Sequence, residues 1–89
     1  MTLHRYDAKR DIPEKEIVAA LLKAGCTVRK INAAGIPDLL VGLANRNYLL
    51  EVKQPGKNLT VAQHHLHMRW RGQIAIVHTP EEALRVVGL

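Results

Sequence analysis

Two short apolar runs, DLLVGL at residues 38–43 and YLLEV at residues 48–52, are separated only by Ala44-Asn45-Arg46-Asn47. A gap that short between two such runs reads as a hairpin turn, which makes the runs neighbouring antiparallel strands. With a two- or four-residue turn centred on Asn45-Arg46, Asp38 lies across from Lys53 and Leu40 across from Glu51. Side chains alternate along a strand, so Asp38, Glu51 and Lys53 then share one face at one end of the hairpin. A three-residue turn without a bulge would break that parity. Whatever else the chain folds into must accommodate this charged end on two otherwise apolar strands.

The flanking segments supply the remaining elements. Asp11-Ile12-Pro13-Glu14 reads as a helix start, with an acidic cap, an early proline and an acid three residues after the cap. Ile17, Ala20, Leu21 and Ala24 recur at helical spacing, and Gly25 supplies a stop. Residues 1–10, polar and basic (His4, Arg5, Lys9, Arg10), read as an arm leading into that helix. Residues 27–31 are β-branched enough for a strand, and 32–35 form a small-residue loop. Pro37 must stand at the beginning of the next strand, because it cannot donate to a ladder. Residues 54–58 make a second turn. Thr60 with Gln63 has the capping-box pattern and opens a helix to about Arg71, ended by Gly72. Residues 74–78 form a short strand, and Thr79-Pro80-Glu81-Glu82 is the clearest helix start in the chain. The order α-β-β-β-α-β-α predicts an α/β fold with one mixed sheet and helices against it.

Composition narrows the partners. The 89 residues are expected to form a single domain, and 13 lysines and arginines against 8 acids leave a net charge of +5. One cysteine, Cys26, rules out an internal disulfide and fits a reducing compartment. The longest apolar run, residues 17–22, is too short to cross a bilayer, and the first residues are too polar for a signal peptide. The expectation is a soluble, intracellular, cytoplasmic domain with polyanionic partners and no membrane. A chain this short buries only about 60–65% of its unfolded surface, which favours oligomerisation.

Two carboxylates at the ends of adjacent strands are hard oxygen ligands suited to Mg²⁺ or Mn²⁺, and the Val52 carbonyl between Glu51 and Lys53 could add a third oxygen. Lys53 beside such an ion could position or deprotonate a water, or stabilise charge on phosphorus. Those are the parts that metal-assisted phosphodiester hydrolysis needs. Spacing alone leaves a second reading open, a structural ion pair in which Lys53 neutralises the two acids.

Gly35-Ile36-Pro37-Asp38, followed thirteen residues later by Glu51-Val52-Lys53, resembles the G-x-PD…E-x-K signature of PD-(D/E)XK nucleases. The short spacing, the lead helix from Glu14, and Thr60-Val61-Ala62-Gln63 after the E-x-K strand resemble the VRR-NUC branch most. They are also similar to archaeal Holliday-junction resolvases. The resemblance runs from about Glu14 to Val77 and implies a restriction-endonuclease-like core. It implies that Asp38 and Glu51 hold the metal with the Val52 carbonyl, that Lys53 is catalytic, and that Gln63 is the active-site glutamine. Glu14 would be the acid of the first helix, with Glu16 as the alternative. Stand-alone relatives come largely from phages and bacteria and cleave branched DNA as homodimers. The expected activity is thus a Mg²⁺- or Mn²⁺-dependent DNA endonuclease acting on branched DNA such as four-way junctions. A non-catalytic DNA-binding module and a nuclease of linear ends are the alternatives.

Each of these residues also has a plainer role. Glu14 can cap its helix reciprocally with Asp11, and Gln63 can complete the capping box of Thr60. His64 and His67, three apart, suggest a metal pair but lack further ligands, so a polar helix face is the simpler reading. Trp70 falls with Leu66 on one helical stripe and reads as core or subunit interface. Lys57, Arg69 and Arg71 are candidates for backbone phosphates, and Gly35 for a close backbone approach to DNA or a tight bend.

Overall fold

A computed structural model describes the backbone of residues 2–89 and the side chains of residues 13–89. The elements are α1 (Thr2–Lys23), β1 (Thr27–Lys30), β2 (Leu39–Leu43), β3 (Arg46–Val52), α2 (Val61–Arg69), β4 (Ala75–Val77) and α3 (Pro80–Val86). This is the α-β-β-β-α-β-α order expected from the sequence. The four strands form one mixed sheet in the order β1-β2-β3-β4. β1–β2 and β2–β3 pair antiparallel, whereas β3 and β4 run parallel. That parallel pair is why a helix, α2, must intervene between them.

α1 departs from expectation. The helix was expected to start at Asp11, yet it runs from Thr2 through Pro13, so residues 2–10 belong to it and are not a non-helical arm. Proline tolerates the first turn of a helix, which made Asp11 look like a cap. Here Pro13 sits inside, and the ladder forgoes the one bond that its missing N–H would have made to the residue-9 carbonyl. The side chains of His4, Arg5, Lys9, Arg10 and Asp11 lie outside the described residues.

The core occupies one face of the sheet. Ile17 and Leu21 of α1 and Ala83 of α3, with Val87 just beyond it, pack on Val28, Leu39, Val41, Leu50 and Val77. Cross-strand pairing explains the selection, since Val28 faces Val41 and Leu39 faces Leu50. α3 is fixed by its own start. Thr79 caps it, accepting the Glu82 N–H at 3.1 Å, with Pro80 in the first turn. The Glu82 carboxylate reaches one residue further back than a capping box would and accepts the His78 N–H at 2.6 Å.

The hairpin turn is two residues long, but it is Ala44-Asn45, one position earlier than the centre assumed from the sequence. Leu43 pairs with Arg46 and Leu40 with Leu49, so Leu40 is not opposite Glu51 nor Asp38 opposite Lys53. Both central residues have positive φ, 53° at Ala44 and 65° at Asn45. That twist suits a hairpin, and asparagine tolerates it, whereas alanine pays a steric penalty there. The slip amounts to two residues, which preserves parity. Asp38, Glu51 and Lys53 remain on one face, and continuing the register one step brings Asp38 opposite Glu51.

Ala44→Gly should therefore stabilise the fold, by about 0.5–1 kcal/mol after the entropy of glycine is set against the relieved strain. Urea unfolding of both chains checks this, and a lower midpoint for the variant would contradict the strained turn.

Candidate active site

Because the apolar core takes one face of the sheet, alternation sends Asp38 and Glu51 to the other. Glu51 is 1% exposed there, the one charged residue among the buried side chains described. Asp38, half-buried, stands just before β2, and its Oδ2 accepts the Val52 N–H at 2.8 Å. The carboxylate thus anchors itself to the backbone of β3 beside Glu51. Pro37, fully buried immediately before it, helps fix the approach of the chain.

α2 closes over this pair. Thr60 caps the helix, accepting the Gln63 N–H at 3.2 Å, while Gln63 Oε1 accepts the Thr60 N–H at 2.9 Å. The amide has a second end, and Gln63 Nε2 donates to Glu51 Oε2 at 3.0 Å. The cap role and the site contact expected of Gln63 therefore coexist in one side chain. Four residues on, and so on the same helical face, His67 brings Nε2 to 3.9 Å from Glu51 Oε1. Both atoms are buried and neither has a hydrogen-bond partner.

Burial and hydrogen bonding and repulsion with the adjacent Asp38 carboxylate push Glu51 up to about 8, with the Lys53 charge opposing. Burial, then the neighbouring His64, push the His67 imidazole below its ordinary range, so the ring is neutral at pH 7. At 3.9 Å, a neutral ring and a carboxyl oxygen make neither an ion pair nor a hydrogen bond.

The other expected residues divide. Lys53 is half-buried at the end of β3, on the Glu51 side, and its own N–H bonds to the Val77 carbonyl at 3.1 Å. Val52 is half-buried and ties the site to Asp38 through its N–H. Glu14 makes an ion pair with Lys30 at 3.5 Å, and no contact described joins it to Asp38 or Glu51. Glu16 is exposed. Gly35 adopts φ +77°, which a side chain would strain, and a Cβ there would lie 3.7 Å from Ala62 of α2. Lys57, Arg69 and Arg71 are all exposed. Trp70 is 44% exposed and caps the end of α2, its ring N–H donating to the Gln73 carbonyl at 3.1 Å, so it is not core. His67 was passed over because it was paired with His64 at three residues. Its four-residue spacing from Gln63 was the signal.

Among the described residues no group of three His, Cys, Asp or Glu side chains is set to hold a metal ion. Two adjacent carboxylates, one with a buried oxygen lacking any partner, nevertheless suit a divalent cation that completes its shell with a carbonyl, water or phosphate. Without such an ion Glu51 burdens the fold. Its folded pKa lies above the ordinary value, so the folded chain keeps a proton that the unfolded chain releases. Stability should fall as pH rises from about 4.5 toward 8, by at most about 1.4 kcal/mol per pH unit. In EDTA, the stability of Glu51→Gln relative to the parent should accordingly improve across that window and level off above it. Denaturation midpoints from pH 4 to 9 test this, and a constant difference between the two chains would refute it.

No family model and no curated protein matches the chain. Among solved structures it is similar to one described as a "VRR_NUC domain", with a TM-score of 0.74 and 24% sequence identity. The match covers 89% of this chain and 94% of the other. The chain thus has the fold of a VRR_NUC domain, the restriction-endonuclease-like arrangement that its sequence implies.

Proposed function

We propose that this protein is a divalent-metal-dependent DNA endonuclease. One observation carries the reading: a carboxylate 1% exposed, set against a second carboxylate on the face away from the core, keeps one oxygen without a partner. No lysine or arginine among the described residues forms an ion pair with that oxygen, and in the ion-free chain a retained proton covers its charge.

Asp38 and Glu51 would hold the ion, with the Val52 carbonyl as a neutral oxygen, and Glu14 would be the acid of the first helix. A divalent ion at this place would supply a Lewis acid for the phosphate and acidify a water. Gln63 fixes the Glu51 carboxylate by its amide, leaving the other oxygen free to bind. Lys53 orients the attacking water and sets positive charge against the phosphoryl oxygens as the transition state forms. Water adds to phosphorus, the bond to the 3′ oxygen breaks, and a 5′-phosphate and a 3′-hydroxyl remain. Lys57, Arg69 and Arg71 bind backbone phosphates, and the backbone at Gly35 comes close to the DNA. The preferred substrate is branched, such as a four-way junction, cut inside the cell by a homodimer that presents two sites to symmetric strands.

Labelled four-way junction, flap, linear duplex and RNA incubated with Mg²⁺ or Mn²⁺ test this with the parent and Lys53→Ala. The parent should cut the junction, and Lys53→Ala should lose about 10²–10³-fold in rate while junction affinity is retained. Cutting that survives the substitution would sink the assignment of Lys53. Binding without any metal-dependent cutting would make the protein a passive module. Affinity should fall steeply with salt, as counterion release requires.

A further inference from the structure

We infer that Trp70 is a stacking platform for an unpaired base of a nucleic-acid strand lying against the end of α2. The inference rests on the reading of this protein as one that binds DNA, and the experiment below separates the two. Tryptophan is highly buried on average, yet Trp70 is 44% exposed and lies outside the core. Its ring is nevertheless held in place. The ring N–H donates to the Gln73 carbonyl at 3.1 Å, and the backbone N–H donates to the Leu66 carbonyl at 2.8 Å. Gly72 lies against the pyrrole edge, where a Cβ would come within 3.1 Å of Nε1. The ring is thus exposed and fixed at once. A surface fixed in advance loses little entropy when a flat partner settles on it.

The surroundings select the partner. Arg69 and Arg71 flank Trp70 in the chain, both are exposed, and neither forms an ion pair among the described residues. From residue 52 to residue 80 the chain carries Lys53, Lys57, Arg69 and Arg71 and no acid. A nucleotide offers a flat π face with a negative charge beside it, so one strand answers both the ring and the arginines. Bases inside a duplex hide their faces in the stack, so the ring takes an unpaired one, as a branch or a frayed end supplies. A second copy of this chain fits worse, because across a two-fold axis the patch would meet itself and set arginines against arginines. The position also fits. Gln73, which holds the ring, is tied to β3 by two hydrogen bonds with Leu49, at 2.6 and 3.3 Å. Leu49 stands two residues before Glu51, about 7 Å along the strand. A strand with a phosphate at Glu51 can therefore lay a neighbouring base on Trp70.

The test is run in EDTA, so that no strand is cut. A labelled oligothymidylate, the same strand with each base replaced by an abasic tetrahydrofuran unit, and a blunt duplex of equal length are titrated with parent, Trp70→Phe and Trp70→Ala. Anisotropy gives the affinities, and circular dichroism confirms the fold of each variant. Emission reports on Trp70 itself, the one tryptophan of the chain. The single strand should quench that emission and bind the parent about fivefold or more tighter than the abasic strand, as one stacked base requires. The duplex should quench it less. Trp70→Ala should lose the preference for the strand with bases, and Trp70→Phe should keep part of it. If the abasic strand quenches and binds as well, or Trp70→Ala keeps the preference, Trp70 is no platform while DNA binding stands. If the free protein sediments as a dimer that Trp70→Ala abolishes, the ring is a subunit contact and the inference fails. If the parent binds none of the strands at low salt, the DNA-binding reading falls and the platform with it.

Discussion

The structure turns on burying the Glu51 carboxylate beside that of Asp38. Desolvation and like charge both oppose it, and each polar contact around the pair answers one part of the problem. The Val52 N–H holds Asp38 in place, the Gln63 amide satisfies one oxygen of Glu51, and the Lys53 charge favours the ionised form of Glu51. What they leave unanswered is the second oxygen of Glu51. Isolated polar atoms of this kind are rare in native structures, and they concentrate where a ligand is awaited.

α2 shows how far the rest of the fold defers to this point. It has no buried residue, and the hydrogen bond described between it and the sheet runs from Gln63 to Glu51. Helices usually stay in place by an apolar stripe. This one is held by a doubly closed cap and by the acid it covers, so site and helix support each other. Val61 and Met68, which would have formed a stripe, are 75% and 72% exposed.

How much of this was legible in the sequence follows from which signals are local. The two capping sequences at Thr60 and Thr79 were legible because side chain and backbone meet within three residues. The strands were legible from apolar runs bounded by turn residues. The hairpin register was misplaced because the turn was centred on Asn45-Arg46, and alanine, which rarely accepts positive φ, gives no sign of a turn position at Ala44. The site survived that error, since only an odd slip exchanges the faces of a strand. The start of α1 was misread from proline, whose preference for a first turn is statistical while its exclusion from a helix interior is only a penalty. His67 was passed over because its place beside Glu51, sixteen positions away and on another element, shows in the sequence only through its four-residue spacing from Gln63.

A domain of this size has apolar residues enough for one well-filled face of its sheet, and α1 and α3 use them. The second face carries Asp38 and Glu51 beside the exposed Leu40 and Ile76, on strands packed from the other side at Leu39, Val41 and Leu50. That packing sets the two carboxyl groups side by side, and burial together with the adjacent Asp38 makes the folded chain keep the Glu51 proton. A cation that bound the folded chain and not the unfolded one would displace that proton, and linkage would return its binding as stability.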